Sequence, residues 1–274
     1  STNQFVLKDV DVASYYPAII INCGLIPETL GAAFLTVYRE LVSRRLTAKE
    51  LKITVEADGL KITINGTFGK LGNKFSILYA PDLLIQVTLT GQLSLLLLIE
   101  MAVAKGIRIV SANTDGVVFY CDRDKEHVLK QVVAEWEIAT GFKTEETEYK
   151  GYFARDVNNY IAVKTDGKCK TKGVYSERGS ALNSVLSKNP ETLILSDAVQ
   201  AYLSKGVPIA ETIRKCDDLR RFVAVRNVKG GAHKNGVYLG KVVRWYYAAG
   251  EYGVINYVLT GNKVPKSDGG RPLM

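Results

Sequence analysis

Apolar and polar residues follow two different periods along this chain, and these periods predict its strands and helices. Residues 6–14 combine apolar and β-branched side chains with three charges, a pattern typical of a strand, and Pro17 is expected to end it. Apolar residues at helical spacing predict helices over 32–51, about 56–69, 82–105 and 126–140. Between the last two, strands over 107–111 and 117–121 flank a predicted hairpin tip. This order indicates an α+β fold whose sheet has helices on one face.

The second half of the chain has a less regular pattern. Residues 149–175 alternate like a meander of strands, the stretch from 189 to 221 is mostly helical, and the tail from residue 250 is irregular. The longest apolar stretch, 81–106, is interrupted by polar residues such as Asp82 and Glu100. A membrane span needs about 20 nearly uncharged residues. We therefore expect a buried helix there and no membrane partner.

Composition places the chain among ordinary globular proteins. It has 274 residues, of which 47% are hydrophobic and 23% charged, and this excludes wholesale disorder, collagen and low-complexity repeats. Its four cysteines are scattered and form no CxxC pair, so we expect neither a disulfide framework nor a zinc ribbon. The first ten residues lack the apolar segment of a signal peptide. We therefore expect a cytoplasmic location.

The positive charge is concentrated in the last quarter of the chain. The net charge is +8, and residues 201–274 hold 13 basic and 5 acidic residues, whereas the preceding residues are balanced. Such a basic segment is typical of a part that binds a polyanion such as nucleic acid, and a solubilising surface has the same pattern. Aromatic residues among the charges, such as Tyr238 and Trp245, favour nucleic acid because they can stack on bases.

Three segments carry the candidate chemistry. Asp11 lies in an otherwise apolar strand, where a carboxylate is costly to bury without a cation or a donor. Lys61, Asn65 and Phe68 are spaced to share one face of a helix, and Asp115 lies at the predicted hairpin tip. Two carboxylates on adjacent strands can bridge divalent metals about 3.5–4 Å apart, an arrangement used for phosphoryl transfer. Taken singly, each of these residues also fits an ordinary structural role.

In this order, the three segments resemble the sequence motifs of the family B (alpha-like) DNA polymerases. Residues 11–17 read DVASYYP, similar to motif A (DxxSLYP), and residues 61–69 read KITINGTFG, similar to motif B (KxxxNSxYG). Residues 113–116 read NTDG, similar to motif C (DTDS). Residues 158–160 and 170–173 resemble the family's KxY and KxKG elements. The resemblance covers residues 5–175 and is strongest with polymerases of bacterial viruses, which implies the host cytoplasm as the location.

The resemblance implies a site for two Mg²⁺ ions, with Mn²⁺ as a substitute. Asp11 and Asp115 would be the catalytic carboxylates that bind the metals, and the carbonyl of Val12 would complete the shell of one ion. Asp9 is a competing carboxylate on the same predicted strand, but the register of motif A selects Asp11.

The resemblance also implies contacts to the incoming nucleotide and to DNA. The backbone near Ser14 and Tyr15 would lie along the triphosphate, and Tyr16 would stack under the sugar and exclude a 2′-hydroxyl. The other implied nucleotide ligands are cationic or polar side chains: Arg45, Lys49, Lys61 and Asn65. The implied contacts to primer–template DNA are Phe68, Gly69, Thr114, Tyr160, Lys170 and Lys172.

Three departures from the family's motifs bear on metal binding, fidelity or DNA contact. Asn113 replaces the first Asp of motif C, so it keeps an oxygen and loses a charge, and we expect a changed metal affinity or pH profile rather than inactivity. Phe68 replaces a Tyr, which would affect fidelity rather than chemistry. Asn158 replaces the Lys of KxY, which would weaken or move one contact to a primer phosphate.

The resemblance divides the chain into the parts of a polymerase. It implies a palm over 1–30 and 71–180, fingers over 31–70 and a thumb-like, basic DNA-gripping region over 181–274. The palm of this family is an antiparallel sheet backed by helices. The implied reaction is template-directed addition of a dNTP to a primer 3′-hydroxyl by two-metal phosphoryl transfer, with dNTPs and primer–template DNA as partners.

Several interpretations remain open at this stage. Family members carry a large N-terminal region and a 3′–5′ exonuclease before motif A, whereas Asp11 lies near the start of this sequence. We therefore expect a polymerase core without proofreading, or one piece of a split polymerase that needs a second chain or an exonuclease-bearing region. A non-catalytic primer–template binding module is the main alternative. A third is another two-metal phosphoryl-transfer enzyme, such as a cyclase, which Tyr16 and the helix of Lys61 argue against because both serve a templated nucleotide.

Overall fold

The chain folds into two compact units, Ser1–Tyr149 and Lys150–Met274. The computed structural model describes residues 4–176, 186, 192–250 and 253–273. The division into palm, fingers and thumb-like region, with boundaries after residues 30, 70 and 180, stays a prediction.

The first unit combines an antiparallel sheet with five helices. Its strands are β1 (Phe5–Val12), β2 (Arg108–Ala112), β3 (Gly116–Asp122) and the first half of β4 (Thr144–Asp156), in the order β2-β3-β1-β4. Its helices are α1 (Tyr15–Asn22), α2 (Ala33–Glu50), α3 (Thr54–Leu71), α4 (Pro81–Ala104) and α5 (Glu126–Thr140). The predicted α+β class is therefore confirmed, as are the four predicted helices and the hairpin formed by β2 and β3.

Alternation along β1 separates a face in the main core from the opposite face, which carries the two acidic residues. Val6, Val10 and Val12 are buried in the main core, together with side chains of α4 and α5. Lys8 shares that face and lies 3.0 Å from the carboxylate of Glu126 on α5. Asp9 and Asp11 point to the opposite side, because successive strand residues alternate between the faces of a sheet. β1 therefore presents its acidic residues on the face away from the core.

The turn after β1 differs from the prediction. Pro17 was expected to end the strand, but β1 ends at Val12, and Pro17 lies in the first turn of α1. A proline is tolerated there because the first backbone N–H groups of a helix have no partner within it. Ser14 makes the connection in the left-handed region, with φ 50°. The strand and helix are thus joined by one sharp turn.

The helix α4 is only partly buried, so the prediction of a buried helix is wrong for its outer face. Val87, Leu95 and Leu98 are buried, whereas Leu89 and Leu93 are 51% and 63% exposed. Among the described helices, α4 alone is long and apolar enough to cross a membrane, a test that core helices of soluble proteins also pass. Its buried stripe packs in the core that it shares with β1.

The described part of the second unit contains further strands, two α-helices and a core of its own around Val243 and Trp245. The end of β4, β5 (Asn159–Lys164) and β6 (Cys169–Lys172) form the predicted meander. The predicted helical stretch contains α6 (Leu193–Lys205) and α7 (Ile209–Lys215), and its first residues, 189–191, lie outside the described residues. A long hairpin of β7 (Ala224–Lys234) and β8 (Val237–Tyr247), to which the sequence analysis assigned no element, pairs with the short strands β9 (Asn256–Tyr257) and β10 (Gly270–Pro272).

Candidate active site

The two carboxylates of motifs A and C lie at the same end of neighbouring strands. Asp11 is the pairing partner of Gly116, the first residue of β3. The backbone N–H of Val12 donates a hydrogen bond of 2.7 Å to the carbonyl oxygen of Asp115. Asp11 and Asp115 line one cavity of about 480 Å³. The structure therefore brings together the two side chains for which the sequence predicts metal binding.

Gly116 leaves the space that the Asp11 carboxylate occupies. A Cβ atom at residue 116 would lie 2.2 Å from Oδ1 of Asp11 and 3.0 Å from the carbonyl oxygen of Val10. Gly116 is part of the motif C segment, but the sequence alone predicts no role for it. Its signal was the replacement of the family's serine by glycine, a residue that often marks a close approach between backbone and another group.

Asn113 shapes the hairpin tip that presents Asp115. Its side-chain Oδ1 accepts hydrogen bonds from the backbone N–H groups of Asp115, at 3.1 Å, and Gly116, at 2.9 Å. Its own backbone N–H donates to the carbonyl of Gly116 at 3.0 Å. An amide oxygen accepts these bonds as a carboxylate oxygen would. The missing charge at position 113 therefore leaves this turn intact.

The motif B helix faces motif A across a second cavity. Lys61, Asn65 and Phe68 of α3 line a cavity of about 390 Å³ together with Tyr16, Thr114 and Asp115. The prediction that these three residues of α3 share a face is therefore confirmed. The rings of Tyr16 and Phe68 lie 4.2 Å apart between centroids, with an angle of 38° between their planes. Gly69 follows Phe68 on α3 and is not among the residues that line this cavity.

The two tyrosines of motif A have different environments. Burial raises the pKa of Tyr16, and the nearby Asp115 carboxylate raises it further, because a negative charge disfavours the phenolate. Tyr15 is buried in the core, where its hydroxyl donates a 2.6 Å hydrogen bond to the carbonyl of Gly91, and burial raises its pKa to about 12. Tyr16 is therefore the tyrosine of this pair that is close to Asp115.

Two contacts join helix α2 to the turn after β1 and to strand β4, beside the carboxylates. Nη1 of Arg45 donates a 2.8 Å hydrogen bond to the hydroxyl oxygen of Ser14. Nζ of Lys49 lies 2.6 Å from Oε1 of Glu145, on β4. Glu145 is also the pairing partner of Asp11, on the side of β1 opposite Gly116. Sequence reasoning missed Glu145, because the pairing of β1 with β4 leaves no local signal in the sequence.

Both positive and negative side chains line this site. Arg45, Lys49 and Lys61 line the larger cavity together with Asp11 and Asp115. Such a set of cations suits a polyphosphate, since charge-assisted hydrogen bonds to phosphate are strong and directional. Among the residues that the structure describes, no group of three or more His, Cys, Asp or Glu is placed to hold a metal by itself. A metal at this site would therefore need ligands from water or substrate.

Three of the predicted DNA contacts, Tyr160, Lys170 and Lys172, belong to the second unit. Tyr160 on β5 pairs with Lys172 on β6, and Ala162 pairs with Lys170. Tyr160 is 4% exposed, and its ring lies 4.9 Å from the ring of Tyr152. The Tyr160 side chain thus contributes to the packing of its own sheet.

Comparison of the sequence with family models and with curated proteins found no significant match. The functional interpretation therefore depends on the ordered motifs and on the geometry of the two cavities.

Proposed function

We propose that this chain is the core of a template-directed DNA polymerase. One observation carries the proposal: motifs A, B and C, which are far apart in the sequence, line two cavities that share Val12, Ser14, Arg45, Lys61 and Asp115. The reaction would be attack of a primer 3′-hydroxyl on the α-phosphate of a dNTP, with pyrophosphate leaving. The protein would act mainly by positioning and electrostatics.

The cationic side chains would bind the triphosphate. Arg45 and Lys49 lie one turn apart on α2, and Lys61 lines the same cavity from α3. Their charges would stabilise the negative charge that moves onto the leaving pyrophosphate. Tyr16, packed against Phe68, would form the surface under the sugar and would leave no room for a 2′-hydroxyl.

The donor set fits Mg²⁺, and Mn²⁺ as its substitute. Asp11 and Asp115 are hard oxygen donors, and the carbonyl of Val12 is a third oxygen at the same end of β1. Mg²⁺ typically binds one or two carboxylates and keeps waters and substrate phosphates as its other ligands. When bound, the ions would supply an activated 3′-hydroxyl and stabilise the transferring phosphoryl group. The Asn113 side chain would hold the hairpin tip so that Asp115 keeps its orientation.

In this proposal residues 1–30 and 71–180, which include the sheet of the first unit, form the polymerase palm. The pair α2 and α3 corresponds to the fingers, and the region 181–274 to the thumb-like part that grips DNA. The excess of basic residues over 201–274 supports the last assignment, since phosphate contacts supply sequence-independent, salt-dependent affinity.

Primer extension tests the proposal. The chain alone would be mixed with a labelled primer–template, dNTPs and Mg²⁺, beside an Asp11→Ala variant. Templated extension by the unaltered chain, lost in the variant, is the expected result. Equal activity in the two proteins would overturn the proposal, because the extension would then come from another enzyme in the preparation or from residues other than Asp11.

A non-catalytic primer–template binding module is the second candidate. The neutral Asn113 favours it, because a catalytic metal site gains affinity from each carboxylate and this position supplies none. The same samples separate the two functions. Tight primer–template binding without extension, by the chain alone, would support the binding module and direct the search to a catalytic partner chain.

A further inference from the structure

Glu145 occupies a place in the candidate active site that neither the motifs nor the proposed reaction assigns. It lies on β4 directly opposite Asp11 on β1. Directly paired residues have their side chains on the same face of a sheet, about 4.5–5.5 Å apart at Cβ. Glu145 accordingly lines the same cavity as Asp11 and Asp115.

The contact between Glu145 and Lys49 links two parts of this site. Lys49 comes from helix α2 and Glu145 from the sheet, and Nζ lies 2.6 Å from Oε1. Both side chains are mostly exposed, at 59% and 62%. An exposed ion pair stabilises a fold by only about 0–1 kcal/mol. The pair therefore contributes little to folding stability, but it fixes a position for the Lys49 ammonium group beside the cavity.

The ammonium group keeps binding capacity in this pair. Lysine has three N–H donors, and the contact with Glu145 uses one carboxylate oxygen. The remaining donors are available to the cavity that Lys49 shares with Arg45 and Lys61. Holding a long side chain in its bound conformation lowers the entropy that is lost when the ligand binds. A phosphate group would meet a lysine that is already in place.

We propose that Glu145 is a positioning residue, which holds Lys49 over the cavity for binding of the incoming triphosphate. The inference rests on the proposed function, because it assumes that the ligand of Lys49 is the phosphate chain of a dNTP. Glu145 acts through Lys49 and does not contact the reacting atoms. It also places a second carboxylate beside Asp11.

Glu145→Gln keeps the size of the side chain and removes its charge. We expect the KM for dNTP to rise about twofold to fivefold, the range that an exposed ion pair supports, with kcat within twofold. The equilibrium Kd for dNTP, measured by calorimetry on the unreactive complex with a dideoxy-terminated primer, should rise by the same factor. In a Lys49→Met background, Glu145→Gln should have no further effect on either constant.

A matched control is available on the same helix pair. Arg44 on α2 lies 2.9 Å from Glu56 on α3, and this pair is also exposed but lines a different groove. Glu56→Gln should leave the KM and Kd for dNTP unchanged. A rise equal to that of Glu145→Gln would overturn the inference, since any loss of a surface charge would then have the same effect.

The remaining outcomes also decide the question. An unchanged or lower KM in Glu145→Gln would overturn the inference, the second by showing that Glu145 withholds Lys49 from the nucleotide. An undiminished effect in the Lys49→Met background would overturn it too. If the unaltered chain binds dNTP but does not extend a primer, the proposed function fails and the Kd values still test Glu145. If it does not bind dNTP at all, both fail.

Discussion

The carboxylate of Asp11 lies where a side chain at Gly116 would have to be. An added Cβ would approach Oδ1 of Asp11 to 2.2 Å. Gly116→Ala should therefore turn the carboxylate away from the cavity. Because the added Cβ would also lie 3.0 Å from the carbonyl oxygen of Val10, the strand must shift slightly and some stability should be lost. A displacement of about 1 Å in a catalytic group can reduce the rate about 100-fold, and primer extension should fall by that order.

Gly59 supplies the control for this substitution. It lies within α3, and a Cβ there meets no atom within 4 Å. Gly59→Ala should keep full activity and gain roughly 0.5–1 kcal/mol of stability, since alanine is the better helix former. Full activity in Gly116→Ala would contradict the assignment of Asp11 to metal binding in this orientation.

The packing of Tyr16 on Phe68 predicts the choice of sugar. Tyr16→Ala removes the ring under the proposed sugar position, so ribonucleotide incorporation should rise by about tenfold relative to dNTP. Tyr16→Phe keeps the ring and should keep the preference for dNTP. Competition between a dNTP and the matching rNTP in single-nucleotide extension gives the ratio. An unchanged ratio in Tyr16→Ala would remove Tyr16 as the selecting residue.

The hairpin tip depends on the side-chain oxygen of Asn113. Asn113→Ala loses two hydrogen bonds to backbone N–H groups. We expect the free energy of unfolding to fall by about 1–2 kcal/mol, with a loss of activity because Asp115 is less well held. Asn113→Asp restores the acceptor and should stay close to the unaltered protein. If Asn113→Ala and Asn113→Asp were equally stable in urea titrations, the turn would be stabilised by backbone contacts alone and not by the side chain of residue 113.

A charge cluster behind the sheet predicts how stability depends on pH. Hydrogen bonds from Lys8 and Lys130 lower the pKa of Glu126 from 4.5 to about 2. Because the folded pKa is below the unfolded value, the carboxylate contributes stability above about pH 4.5, and this contribution is lost as pH falls toward 2. Glu126→Gln should be destabilised at pH 7, and its difference from the unaltered protein should shrink over that interval.

The control for this prediction lies on the same helix. Glu135 is exposed on α5, and its carboxylate accepts a hydrogen bond from Gln131. Glu135→Gln should change the free energy of unfolding little at any pH. A Glu126→Gln difference that stays constant from pH 7 to pH 2 would show that the loss comes from packing and not from the carboxylate charge.

The sequence predicted best those elements whose signal is local. The helical spacing of apolar residues located α2 to α5, and the two runs around Asn113 located the β2–β3 hairpin. Local rules failed at Pro17, because proline stops a strand and also fits the first turn of a helix. The outer face of α4 was missed for a similar reason: continuous apolar sequence does not tell which side of a helix meets the core.

The candidate site was predictable only through its motifs. The order of the three motifs predicts that Asp11 and Asp115 lie close together, and the pairing of β1 with β3 places them at the same end of neighbouring strands. Glu145 could not be found in this way, since its place is set by the register between β1 and β4. Gly116 needed side-chain geometry, because only the position of the Asp11 carboxylate shows why a Cβ is excluded.

Incorporation of a single nucleotide opposite a defined template base tests the central claim most directly. Each of the four dNTPs would be offered with each template base in the presence of Mg²⁺, to the unaltered chain and to Asp115→Ala. The affinity of both proteins for the primer–template would be measured in parallel. The account predicts addition of the complementary nucleotide alone, lost in Asp115→Ala while DNA affinity stays within a few-fold. Addition that ignores the template base, or that survives in Asp115→Ala, would contradict it.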